Sequence, residues 1–129
     1  MIKNFTFLIL FFIPVFSVCQ VSGVVFRDFN SNGIKDNNAS FNEPFAKGII
    51  VKAYNSSDVN IAVAVTDVNG AYALGGLTFP VRIEFSGYQT GDYTSVSGAA
   101  NKSSVQFYSA ATTSANFAVN YPAQFSQPD

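Results

Sequence analysis

Past residue 20 the chain shows no run of apolar residues at helical spacing over three turns. Short stretches of β-branched and aromatic residues alternate instead with clusters of Gly, Asn, Asp and Ser, which is the pattern of an all-β sandwich. Residues 21–27 (VSGVVFR) predict a first strand, and a polar loop rich in Asn and Asp follows from 28 to 44, closed by Pro44. In residues 48–54 (GIIVKAY), Ile49, Val51 and Ala53 face one way and Ile50, Lys52 and Tyr54 the other. A turn at 55–58 leads to a third strand at 61–66, and Asp67-Val68-Asn69-Gly70 reads as a tight hairpin turn from which a fourth strand, 71–74, returns. Pro80 opens a fifth strand at 81–85, since proline is confined to strand starts and edges. Residues 86–103 form a long Gly-, Ser- and Thr-rich excursion with a short strand near 93–96, and 104–108 and 116–119 read as closing strands.

That makes about seven short strands and roughly a hundred ordered residues, enough for one sandwich core. Phe and Tyr are frequent, 14 and 6 in 129 residues, and they are expected to supply much of that core.

Ahead of the strands, residues 5–16 (FTFLILFFIPVF) are almost unbroken apolar sequence after a lone Lys3. A membrane-spanning helix needs ~20 apolar residues; this run is shorter and Pro14 interrupts it. It predicts a signal peptide, residues 1–19, and a secreted or cell-surface product. Cleavage after Cys19 removes the only cysteine. Lipid attachment at Cys19 is the other reading, with Val18 a poor fit before it. Neither permits a disulfide within the chain.

Without the leader, six basic and eight acidic residues remain. A mildly acidic surface argues against nucleic acid or anionic lipid as partner and suits a cation. There is no histidine, so the usual general base and the His-paired nucleophiles are missing. A zinc site is nearly excluded once Cys19 is gone, since neither Cys nor His remains to ligate it. Only Asp and Glu could serve an enzyme, and no clustered pair outside the loop suggests one. The available metal ligands are hard oxygen donors, suited to calcium.

The segment Asp28-Phe29-Asn30-Ser31-Asn32-Gly33-Ile34-Lys35-Asp36 carries that chemistry. Calcium takes six to eight converging oxygens, and a chain supplies them by turning tightly about the ion. Asp28, Asn30 and Asn32 alternate, Gly33 permits the sharp turn, the Ile34 carbonyl follows, and Asp36 comes two residues later, filling positions one, three, five, seven and nine of an EF-hand-type loop. Position twelve is Ala39, and the next acid, Glu43, lies beyond a four-residue insertion within 37–42. The cluster also has a plainer explanation as turn-forming residues. Three carboxylates crowded in one loop, however, repel without a cation. Weak extracellular affinity, ~0.1–1 mM, is the expected range. Asp67 could add an oxygen if its turn shares an end of the sandwich with this loop.

The order Gly23-Val24-Val25-Phe26, Asp28 to Asp36, Glu43-Pro44, Gly48-Ile49-Ile50-Val51, Thr66-Asp67-Val68-Asn69-Gly70-Ala71-Tyr72 and Leu77 resembles the SdrD B-like domains of bacterial surface proteins, which belong with the collagen-adhesin B-type modules. The matching region is 21–85, and residues 81–85 and 104–107 extend it to about residue 121. The resemblance implies a seven-stranded prealbumin/immunoglobulin-like β-sandwich over 20–121, followed by a linker or tail at 122–129. It implies a module that stiffens on binding calcium and serves as a stalk or spacer. Carried over position by position, the ligands are Asp28, Asn30, Asn32, the Ile34 carbonyl, Asp36 and Glu43. Some relatives carry an internal Lys–Asn isopeptide bond assisted by a buried acid. Here Arg27 stands where the lysine would be needed, with Glu84 as candidate acid and Asn120 as acceptor, so no such bond is expected.

The expected function is therefore a non-catalytic, calcium-stabilised module, partnered by other domains of a longer surface protein, by a host protein or by a polysaccharide. The alternative is an adhesion or carbohydrate-binding module that uses the 86–103 excursion with Tyr88 and Tyr93.

Overall fold

In a computed structural model, the described residues are 19–30, 32–40, 42–88, 93–94 and 103–120. The predicted signal peptide up to residue 18, most of the 86–103 excursion and the tail lie outside them. No helix occurs among the described residues. Seven strands of four or more residues, β1 (Cys19–Arg27), β2 (Ile50–Tyr54), β3 (Asn60–Val65), β4 (Ala71–Gly75), β5 (Val81–Ser86), β7 (Val105–Tyr108) and β8 (Phe117–Asn120), are joined by a two-residue strand, β6 (Tyr93–Thr94). They form two sheets, ordered β4-β1-β8-β6 and β3-β2-β5-β7. The chain is the all-β sandwich that its period-2 pattern predicts.

Alternation decides which residues enter the core. In β2 and β5 every second residue is buried, so Val51 and Ala53 meet Val81, Ile83 and Phe85 on the inner face. Val21 and Val25 of β1, Tyr72 and Leu74 of β4, and Phe117 and Val119 of β8 close the core from the other sheet. Glu84 falls on the outer face with Arg82, so it is no buried acid.

The core is largely aliphatic, which corrects the expectation of an aromatic one. Among the described residues four aromatics are buried, Phe26, Tyr72, Phe85 and Phe117, whereas five of the 14 phenylalanines belong to the first 18 residues. Phe85 stacks on Phe117 at 4.7 Å and meets Tyr72 edge-on at 5.6 Å. The Tyr72 hydroxyl donates to the Ala115 carbonyl at 2.5 Å, and burial pushes its phenol well above the usual range, so it remains a donor. The inward Gln106 is likewise satisfied: Nε2 donates to the Ser103 and Asn116 carbonyls, and Oε1 accepts from the Tyr108 hydroxyl.

A second correction concerns the turn at 67–70. It is a turn, with Gly70 N donating to the Asp67 carbonyl at 2.9 Å and Asp67 N to the Ala71 carbonyl at 3.0 Å. It is not a hairpin. β3 pairs with β2, and β4 pairs with β1, so the turn arches from one sheet to the other. The cause is docking on β1, where the Gly70 carbonyl accepts from Val25 N at 2.8 Å. The true hairpin of this region is β2–β3, turned at 55–59 with Asp58 at φ 62°.

Three features of this fold position the polar loop. β1 and β8 run parallel from Val25 and Phe117, and Asp28 N extends that ladder by donating to the Val119 carbonyl at 2.8 Å. The returning chain is stitched to the same strand, with Arg27 N donating to the Pro44 carbonyl and Ala46 N to the Val25 carbonyl, both at 2.9 Å. Beyond that, buried Thr66 clasps the approach to β2, its hydroxyl donating to the Ala46 carbonyl at 2.6 Å and accepting from Ile49 N at 2.9 Å. Thr66→Val keeps the shape and strands both backbone partners. It should cost about 2 kcal/mol in urea unfolding, since buried unpaired groups cost ~1–3 kcal/mol each.

Candidate metal centre

Both ends of the 28–43 loop are held against β1, so its interior is a closed polar ring. Asp28 is fully buried at the end of β1. Its Oδ1 accepts from Asn32 N at 3.1 Å and its Oδ2 from Gly33 N at 2.6 Å. Gly33 N thus reaches the carboxylate five residues behind, and its φ of 71° turns the chain sharply onward to Ile34. Asn30 and Asn32 each cap a local turn, Asn30 Oδ1 accepting from Asn32 N at 3.3 Å and Asn32 Oδ1 from Ile34 N at 2.9 Å.

The amide nitrogens of the same two residues converge on one atom. Asn30 Nδ2 and Asn32 Nδ2 donate to Asp36 Oδ2 at 2.8 and 2.9 Å. Asp36 therefore collects two partial positive charges where a cation would give it a full one.

Glu43 is brought in by folding out the insertion. Asn37 and Asn42 form an antiparallel bridge, and Glu43 N donates to the Asp36 carbonyl at 3.1 Å. The six residues between Asp36 and Glu43 thus form a closed excursion that leaves the two acids adjacent. Glu43 is buried, with Oε2 accepting from Phe29 N at 2.5 Å and Oε1 from Asp36 N at 2.6 Å. Burial raises its pKa; the two N–H donors oppose that, and the charges of Asp28 and Asp36 add to the rise.

The structure thus brings Asp28, Asn30, Asn32, Asp36 and Glu43 together. The Ile34 side chain is exposed, as expected of a residue whose carbonyl alone is called on. Asp67 is placed differently. Its turn does share this end of the sandwich, through the Gly70–Val25 contact, but its Oδ1 accepts from Asn69 N at 2.8 Å and Ala71 N at 3.0 Å within that turn. Lys35 also turns outward, its Nζ lying 4.3 Å from the centre of the Phe45 ring.

The donor set suits a hard cation in type: carboxylates, amides and a carbonyl, with no nitrogen or sulfur ligand. Among the described residues no three carboxylate, histidine or cysteine side chains converge as a ligand group, so amide and carbonyl oxygens would complete any shell. Asn30 and Asn32 present nitrogen to Asp36, and a half-turn of each amide exchanges it for oxygen at the loss of two hydrogen bonds, the turn-capping one and the one to Asp36.

Sequence reasoning missed the backbone donors at Phe29, Gly33 and Asp36 and the pinch at Asn37 and Asn42. The only signal for the pinch was the Asn-rich insertion itself. Of the aromatic platform considered for the 86–103 excursion, Tyr88 is half-buried, with its ring 5.8 Å from that of Phe117; the Tyr93 side chain lies outside the described residues. No protein-family model matches the chain, and no curated protein matches it.

Proposed function

We propose that this chain is a calcium-stabilised, non-catalytic structural module of a bacterial cell-surface or secreted protein, a stalk or spacer of the SdrD B-like kind. The observation that carries the reading is the loop closed by Glu43. Its buried carboxylate ties Phe29 to Asp36 and holds the alternating donors Asp28, Asn30, Asn32 and Asp36 in one ring. Asp28, Asn30, Asn32, Asp36 and the Ile34 carbonyl would hold the ion. Glu43, with both oxygens on backbone N–H groups, braces the ring and has only its remaining lone pairs to offer. Calcium would supply there a full charge in place of the two amide dipoles on Asp36, a mechanical rather than a chemical role. The sandwich suits that role, since its loop is stitched to β1 at both ends.

Thermal unfolding with and without calcium tests the reading. For a dissociation constant of ~0.1–1 mM, 10 mM calcium should add about 1.4–2.7 kcal/mol, reversed by chelator. Asp36→Asn should remove most of that gain. A melting temperature unmoved by 10 mM calcium, or a gain that Asp36→Asn leaves intact, would dispose of the calcium centre.

A further inference from the structure

A second polar site lies at the far end of β2 from the loop. It is a groove of about 600 Å3 between the β2–β3 turn, the start of β5 and the end of β7, lined by Asn55, Asp58, Pro80, Arg82, Phe107 and Tyr108 among others. Three of the neighbouring side chains stand in register across the outer face of one sheet, Tyr54 opposite Arg82 and Arg82 opposite Phe107. Phe107 is 75% exposed, the most exposed of the large apolar residues among those described. Arg82 is fixed from two sides, by Asp58 at 2.5 Å and by stacking of its guanidinium 4.6 Å from the Tyr54 ring centre, with Glu84 at 3.6 Å.

From this juxtaposition we infer that the groove binds a neutral saccharide. Phe107 offers a flat apolar face of the size of one pyranose ring. Beside it, the carboxylate of Asp58 and the guanidinium of Arg82 form an acceptor–donor pair that can meet two adjacent hydroxyl groups. Asn55 spends its Oδ1 on Ser57 N and Val59 N in the turn and keeps its Nδ2 donor. The internal pairing of charges selects against ionic ligands: an anion meets Asp58 and Glu84, and a cation meets Arg82. A hydroxylated, uncharged ligand uses every group and leaves none unpaired. The groove shares no residue with the metal centre, so saccharide binding adds to the structural role and does not depend on calcium.

The test is an array of neutral and acidic oligosaccharides probed with the protein, once with calcium and once with chelator, and calorimetry on the neutral glycans bound. Binding to at least one neutral oligosaccharide, equal with and without calcium, is the expected result. Phe107→Ala removes an exposed ring and should leave the melting temperature unchanged while weakening binding about tenfold or more. Asp58→Asn, which tolerates the positive φ of that position, should weaken it likewise. No neutral glycan bound overturns the inference, as does a preference for acidic glycans. Binding that survives both substitutions, or that is lost in Tyr93→Ala and kept in Phe107→Ala, overturns it equally.

Discussion

Replacing Glu43 with Ala should lower the unfolding free energy by about 3–5 kcal/mol, far more than a loop residue normally commands. The carboxylate is buried and receives two short backbone bonds, from Phe29 N and Asp36 N. Hydrogen bonds to a charged group contribute ~1.5–3 kcal/mol each, and a buried donor stranded by its removal costs a similar amount. Two terms work the other way. The raised pKa of Glu43 records a burial cost that the substitution relieves, and water can reach Asp36, which is half-buried. Glu43→Gln should cost roughly half as much, because its oxygen still accepts one N–H while its amide opposes the other. Urea unfolding in chelator measures both, with the loss separated from any calcium effect. Faster hydrogen exchange at the Phe29 and Asp36 amides should accompany it. A loss below about 1 kcal/mol in Glu43→Ala would mean that Glu43 is not the brace of this loop.

The same residue marks where the chain was legible and where it was not. The alternation of Asp28, Asn30, Asn32 and Asp36 is visible in sequence because each oxygen donor sits two residues from the last. Glu43 was visible as an acid before a proline, but its reach across residues 37–42 was not. That reach rests on the Asn37–Asn42 bridge and on Glu43 N meeting the Asp36 carbonyl, and neither leaves a mark on residue type. The strands were legible for the plainest reason: inner faces such as Val51 and Ala53, or Val81, Ile83 and Phe85, alternate strictly. The Phe107 groove was not, since one exposed aromatic in an edge strand reads as core until the strand is placed.

Aromatic content and the turn at 67–70 misled for opposite reasons. Counting Phe over the whole chain adds the five of residues 1–18 to the core, whereas the core of the described residues is carried mostly by Val, Ile, Leu and Ala. Asn69-Gly70 is a sound local signal for a turn, but local chemistry does not specify which strand the exit pairs with. The acceptor offered to Val25 N by the Gly70 carbonyl belongs to the other sheet. Long-range docking overrode the short-range preference.

That docking makes Gly70→Ala a damaging substitution, with an expected cost of about 3 kcal/mol or more. A Cβ at this position would lie 2.1 Å from the Val25 carbonyl oxygen and 3.2 Å from Phe45 Cβ. The Val25 backbone cannot yield, because its N–H is held by Gly70 and its carbonyl by Ala46 N. Gly76 supplies the control. It has nearly the same φ, +67° against +66°, and nothing within 4 Å of the added Cβ. Gly76→Ala should therefore show only the left-handed backbone term, ~1–2 kcal/mol. The difference between the two variants in urea unfolding isolates the close approach of the arch to β1. Equal losses would show that the arch is not seated there. Because Val25 also anchors Ala46 at the base of the polar loop, Gly70→Ala should blunt the calcium-dependent gain in stability, whereas Gly76→Ala should leave it whole.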